Sequence, residues 1–278
     1  MKECAMWKLI LFSKAFKDKR IEELVTLAHN FKFDGYDLCV RPGYPINPEN
    51  AAEKLPQIAR LMNEEGLVIP MITGNFDLLY PDHPTAEPIL SAMEKANIRL
   101  IKLGYYLFDP ERQDYWQEVD KIRKAFEGWQ RLGKRYNVKI CYHTHSNRCM
   151  GLNCAALAHL LNGFDPDYLG AYIDPGHMVV EGEEFSVGCA MIKKYLSIVA
   201  LKDVLITREE YQEHGRCKYL WVPAGKGMVN WTAVFSELKR IGYQGPLSVH
   251  CEFEVPEERF FDAVREEIEF FRTKRNSL

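Results

Sequence analysis

The 278-residue chain lacks several features that would assign it to a class at once. No stretch approaches the roughly 20 consecutive apolar residues of a membrane span. The apolar run near its start, "MWKLILF", is too short for a secretory core and no small-residue cleavage site follows it, so a cytoplasmic protein is expected. A basic surplus is missing too: the net charge of −3 removes the electrostatic footprint of nucleic-acid binding. No linker, low-complexity tract or internal repeat divides the chain, and residues 1–278 are read as one domain. Eight cysteines are present, but none forms a CxxC pair, and Cys149 and Cys154 have no second pair to complete a zinc ribbon. Cys39, Cys141 and Cys251 lie in apolar runs, where reduced cysteine serves as a small hydrophobe. Finally, no glycine-rich phosphate loop follows the first strand-like run, "LILFSKAFKDK", which argues against a doubly wound nucleotide-binding sheet.

What is present is alternation. Short apolar runs at 9–13, 35–40, 68–74, 99–107, 138–145, 169–176, 197–204 and 246–254 are separated by amphipathic stretches such as "IEELVTLAHNF" and "WTAVFSELKRIGY". Near-continuous apolarity marks parallel strands buried on both faces. Eight such strands alternating with helices, over about 250 residues or more, predict a single-domain (β/α)8 TIM barrel.

That architecture places an active site at the C-terminal ends of the strands. The polar residues there are Ser13 and Lys14, Arg41, Thr73 and Asn75, Lys102, His143 and His145, Asp174 and His177, Lys202 and Asp203, then His250, Glu252 and Glu254. Four of the eight histidines fall in these segments beside carboxylates, whereas His29, His83, His159 and His214 lie in helices or loops. Strand parity puts His143 and His145 on one face, and likewise His250, Glu252 and Glu254. Imidazole and carboxylate together suit Zn²⁺, Mn²⁺, Fe²⁺ or Co²⁺, not an all-oxygen calcium cage. Tyr105, Tyr106 and Phe108 are read mainly as core, with a sugar-lining role open to one of them. "VPAGKGMVNW" reads equally as a phosphate-holding helix start or as a tight turn around Lys226.

At these residues the chain resembles the xylose-isomerase-like TIM-barrel superfamily, in its sugar phosphate isomerase/epimerase branch. "FDGYDLCVRPGYPINPENAAEKLPQI" with "GLVIPMITGNF", then "YHTHSN", "DPGHMVVEG", "ALKDV", "VPAGKGMVNW" and "SVHCEFE", carry the likeness in order. The resemblance implies a divalent metal at the barrel mouth, held by Glu, Asp, His and Glu from strands five to eight. Asp174 matches the strand-six Asp ligand, Glu252 the strand-eight Glu, and His177 the histidine three residues after that Asp. Two positions depart from the pattern: His143 stands where many relatives have Glu, and Ala200 where the family "HxKD" block has His. Either His145 or His250 replaces the missing ligand, or water does, or the metal is bound weakly or not at all. The change from Glu to His favours Mn, Zn, Fe or Co over Mg.

The expected ligands are therefore drawn from His143, His145, Asp174, His250 and Glu252. Isomerisation and epimerisation next to a carbonyl begin with removal of a C–H proton and pass through a stabilised enediolate. His143 or His145 is expected as the acid/base. Glu252 and Lys202 join the catalytic set, Lys202 at the oxyanion, and His177, Arg41, Asn75 and Lys102 would bind a small sugar or sugar derivative. A lyase or dehydratase shares the first half of this mechanism, and a degenerate sugar-binding barrel is the non-catalytic alternative, motivated by Ala200. An abasic-site endonuclease is disfavoured, because Arg41 and Asn75 stand where its further ligands belong and "AGKG" lacks a preceding Asp-x-His. No nucleic-acid or membrane partner is expected, and a homodimer is expected by analogy alone.

Overall fold

The computed structural model describes residues 7–277. Eight strands form a closed parallel barrel: β1 (Leu9–Phe12), β2 (Gly35–Cys39), β3 (Val68–Thr73), β4 (Leu100–Lys102), β5 (Lys139–His143), β6 (Leu169–Ile173), β7 (Leu196–Leu201) and, after an excursion, β10 (Leu247–Val249). Every expected apolar run overlaps one of them. Closure is made by β1 pairing with both β2 and β10, through Ile10↔Gly35 and Ile10↔Ser248. The barrel strands are buried along nearly their whole length, because helices cover the outside and side chains fill the inside.

Alternation divides the core in two. Outward residues such as Leu9, Leu11, Tyr36 and Ile173 pack against helices including α1 (Ile21–Phe31) and α2 (Ala51–Glu64), within one large cluster. Inward residues Ile10, Met71, Cys141, Tyr172, Ile198 and Ala200 form a separate inner cluster. The helices end where the sequence supplies left-handed residues, as at Gly66 (φ 73°) and Gly163 (φ 88°).

One element differs from the sequence expectation. Between β7 and β10 the chain forms an antiparallel hairpin, β8 (Asp203–Tyr211) and β9 (His214–Val222), turning at Gln212 with φ 52°. Its charged tip, "TREEYQEHGRCK", falls between the last two apolar runs and carries no expected element. The tip is exposed, and Arg216 Nε bonds the opposing Glu209 at 2.6 Å. Its base is buried at Asp203 and Val204 and returns the indole of Trp221 to the barrel mouth.

Candidate active site

The C-terminal ends of the strands open into a cavity lined by Lys14, Arg41, Lys102, Tyr105, His143, His145, Tyr172, Lys202, His250 and Glu252, with Phe12, Thr73 and Phe76 as its apolar and rim contacts. At its centre is Lys202, buried at the end of β7. Its Nζ lies 3.0 Å from Glu252 Oε2, 3.0 Å from His177 Nε2 and 3.6 Å from Asp174 Oδ2. The Trp221 ring closes the remaining side at 3.9 Å from Nζ.

Asp174 is fixed by local structure. It is the N-cap of α6 (Pro175–Val180), and its Oδ1 accepts from Gly176 N at 2.8 Å and His177 N at 3.2 Å. This cap leaves Oδ2 facing the cavity side, where it is buried without a hydrogen bond. His143 Nε2 is also buried and unpartnered, 4.0 Å from that oxygen. On its other side, His143 Nδ1 meets the Tyr105 hydroxyl at 2.9 Å. Burial, reinforced by Lys102, holds the His143 imidazolium well below its ordinary value, so the ring is neutral.

His177 is neutral for the same two reasons, burial first and then the adjacent Lys202 charge. Its Nε2 lies 3.0 Å from the Lys202 ammonium, and its Nδ1 faces Ser146, 2.8 Å from Oγ and 3.3 Å from the backbone N. His145 Nδ1 is 2.8 Å from the Ser146 carbonyl, which only accepts. The proton is therefore on Nδ1, and because burial pushes this ring down to about 4, Nε2 carries a free lone pair. Glu252 is pushed up by burial but held well below its ordinary value by Lys202, by His250 and by Lys14, which ion-pairs with Oε1.

Beneath the mouth runs a buried network that sequence reading missed. Asp37 accepts from Thr73 Oγ1 at 2.7 Å and Ser248 Oγ at 3.0 Å, and the Tyr172 hydroxyl bridges Asp37 Oδ2 (3.3 Å) and His250 Nε2 (2.7 Å). A carboxylate inside an apolar run, "GYDLCV", was the available signal for Asp37. Tyr172 lies two residues before Asp174 on the same inward face, so parity identifies it too.

Among the expected site residues, His143, His145, Asp174, His177, Lys202, His250 and Glu252 come together, and Arg41 and Lys102 line the same cavity. Asn75 does not: its amide turns to Asp77 Oδ1 at 2.8 Å on the loop, and Thr73 and Phe76 face the cavity instead. Glu254 is exposed, because β10 ends at Val249 and strand parity does not extend that far. Tyr105 lines the cavity, whereas Tyr106 is core. The "AGKG" segment is a tight turn. Asp203 accepts the amides of Gly225 (2.8 Å), Gly227 (3.3 Å) and Val229 (3.1 Å), leaving those donors unavailable to phosphate. A Cβ at Gly227 would stand 2.2 Å from Asp203 Oδ1, so only glycine fits.

The expected metal ligands do not assemble as a set. Among the described residues, no three His, Cys, Asp or Glu side chains form a metal-holding group. His250 Nε2 is engaged by Tyr172, His145 has only Nε2 left to offer, and Ala200 gives only a methyl group to the inner cluster. His177 Nε2 and both Glu252 oxygens are taken by lysine ammonium groups. The residues present do not fit a divalent ion.

The family model of the xylose isomerase-like TIM barrel matches residues 25–274. The chain belongs to that family. Within it, the sequence is similar to inosose dehydratase of Lacticaseibacillus casei, 25% identical over 143 residues, covering 48% of each protein. The chain thus matches about half the length of that curated relative. Its fold is similar to apo 3-keto-D-glucoside 4-epimerase from E. coli, with TM-score 0.73, 16% identity and coverage of 96% of this chain and 99% of that one. It is similar also to the IOLI protein with a bound zinc atom, with TM-score 0.72, 15% identity and 96% coverage of both chains. The proteins it is similar to thus include an epimerase, by fold, and a dehydratase, by sequence over about half its length, and the finer class is a matter of the site's chemistry.

Proposed function

We propose that this family member catalyses proton transfer at the carbon next to the ketone of a small keto-sugar or keto-polyol, isomerising or epimerising it through an enediolate. The observation that carries this reading is the pair of orphaned atoms, His143 Nε2 and Asp174 Oδ2, beside the Lys202 ammonium. Buried polar groups left unpaired cost stability, and such groups are retained where a ligand completes them. At a separation of 4.0 Å, one substrate hydroxyl at ordinary hydrogen-bond distance accepts from Nε2–H and donates to Oδ2. Lys202 then receives the adjacent carbonyl oxygen and the charge that develops on it. His145, with its bare Nε2 in the cavity lining, takes the C–H proton. Glu252 stays ionised and positions Lys202 between itself and His177.

A second reading is β-elimination from the same enediolate, giving a dehydratase. The similarity to inosose dehydratase favours it. Both readings share the first step, so the test begins there. Keto-inositols and ketohexoses are incubated with the protein in D2O and followed by proton NMR. Exchange of the proton next to the carbonyl with formation of an isomer supports the first reading. Exchange or loss of that proton with release of water and an enone absorbance supports the second. His145→Gln is expected to slow either by about a hundredfold or more, the contribution of a positioned base. No exchange with any substrate refutes both and leaves a binding barrel.

A further inference from the structure

We propose that the Lys202 ammonium occupies the position that a divalent metal takes elsewhere in this fold, and that this chain holds no such ion. The family pattern gives the motive, Ala200 in place of a histidine, but the geometry carries the inference.

Two polar atoms lie at hydrogen-bond distance from Nζ, Glu252 Oε2 at 3.0 Å and His177 Nε2 at 3.0 Å, while Asp174 Oδ2 stands 3.6 Å away as an ion-pair partner without a hydrogen bond, which leaves one of the three N–H groups for a ligand. These separations are those of an ammonium among its acceptors. Coordination to Zn²⁺ would bring the same oxygen and nitrogen atoms to about 2.0–2.2 Å of the ion. The fourth side is the Trp221 face, 3.9 Å away, which attracts a cation without coordinating it. Glu252 has no oxygen to spare, because Lys14 ion-pairs with Oε1 and Lys202 with Oε2.

Sequence and packing reinforce one another here. Ala200 and Lys202 lie two residues apart on the inward face of β7, and Ala200 is fully enclosed by the inner cluster. The strand thus contributes a methyl group one layer down and a positive charge at the mouth. A divalent ion among Asp174, His177 and Glu252 would lie within about 4 Å of that charge and be repelled by it. In reaction terms the ammonium does what an ion would do: it holds the carbonyl oxygen and donates to the developing oxyanion. That last clause rests on the function proposed above, whereas the displacement of the metal does not.

The test therefore uses metal uptake and not turnover. The full-length protein is supplemented with Mn²⁺, Co²⁺ or Zn²⁺, dialysed and assayed by inductively coupled plasma mass spectrometry and calorimetry, with the Co²⁺ visible spectrum as a readout of coordination. The wild type is expected to retain no stoichiometric metal and to give only the spectrum of hydrated Co²⁺. Lys202→Ala, and the double variant Ala200→His/Lys202→Ala, are expected to bind Co²⁺ at least about a hundredfold more tightly, since a unit charge within about 4 Å has been removed. One equivalent of metal retained by the wild type overturns the proposal, and needs no variant to do so. A folded Lys202→Ala protein, judged by circular dichroism, that gains no affinity overturns it as well, because the donors would then not converge on the ammonium's position. If the exchange assay finds no reaction while these results hold, the proposed function fails and the metal replacement stands.

Discussion

Lys102 offers a direct test of the electrostatics at the mouth. Its side chain is buried in the cavity wall, with Nζ 3.6 Å from the Tyr105 ring centroid and 6.0 Å from that of Phe76. Among the described residues it makes no ion pair. Burial, and then the neighbouring Arg41 charge, lower its titration to about 7. An unfolded lysine titrates near 10.4, and each tenfold difference is worth about 1.4 kcal/mol, so keeping this amine charged costs the fold on the order of 5 kcal/mol. Between pH 7 and 10.4 the unfolded chain binds more protons than the native one, so this penalty is fully present below about pH 7 and fades as the pH rises. Lys102→Met keeps the length and removes the charge. It also loses the contact with Tyr105, worth about 1–2 kcal/mol when desolvated, leaving an expected net gain of roughly 3 kcal/mol at about pH 6. Guanidinium denaturation of both proteins from about pH 6 to about pH 10 measures the gap. The gap is expected to shrink steadily and vanish or reverse at the alkaline end. A difference that does not vary with pH, or a Met variant less stable at pH 6, refutes the reasoning.

Two further perturbations probe the scaffold around the site. Asp203→Ala deprives the amides of Gly225, Gly227 and Val229 and the Trp231 indole N–H of their acceptor, at a cost of about 1–3 kcal/mol for each of the two buried donors, Val229 N and Trp231 Nε1, and less for the two glycine amides nearer solvent. A loss of at least about 3 kcal/mol, with new proteolytic cleavage in 223–228, is expected in denaturation and digestion experiments, and a loss below about 1 kcal/mol would show that the turn holds without its carboxylate. Glu267 accepts from Ala224 N at 2.6 Å, while its other oxygen is buried and unpartnered, and burial pushes its titration up to about 8. Its native state retains a proton that the unfolded chain loses, so its stabilising contribution is full below about pH 4.5 and is lost as the pH rises through 8. Glu267→Gln is therefore expected to match the wild type near pH 4.5 and to exceed its stability by several kcal/mol above about pH 8, as measured by denaturant midpoints; parallel curves would contradict this.

The strands were legible because burial on both faces leaves an apolar run that no surface element imitates. The site was legible to the extent that it sits on strand ends, and its limits follow from the same fact. His143 is the last residue of β5, and parity describes it correctly; Glu254 lies five residues beyond β10 and parity misplaces it. Asn75 stands two residues beyond β3, where loop geometry and Asp77 decide its direction. The hairpin was not expected because "TREEYQEHGRCK" carries so many charges that it lacks the apolar run by which the barrel strands were found. Trp221, which closes the ammonium site, was hidden with it. The metal expectation came from residue identity, strand parity and the family resemblance. Which donors remain free depends on hydrogen bonds made from other elements, such as Tyr172 to His250, and these have no sequence signature.

The network under the mouth follows from the choice of a lysine. A metal ion imposes directions on its ligands, whereas an ammonium on a four-carbon stem imposes none and must be fixed from outside. In this chain the fixing begins at the barrel interior. Asp37 orders Thr73, Ser248 and Tyr172; Tyr172 orders His250; His250 Nδ1 lies 3.7 Å from Glu252 Oε2, which receives Lys202. From the other side, the α6 cap orients Asp174, and Ser146 holds the His177 ring at Nδ1. Each link comes from a different strand or helix, so the position of Nζ is determined by barrel closure itself and not by its own rotamers. A preorganised charge of this kind needs little rearrangement when an oxyanion forms beside it, which is the condition for stabilising a transition state more than a bound ketone.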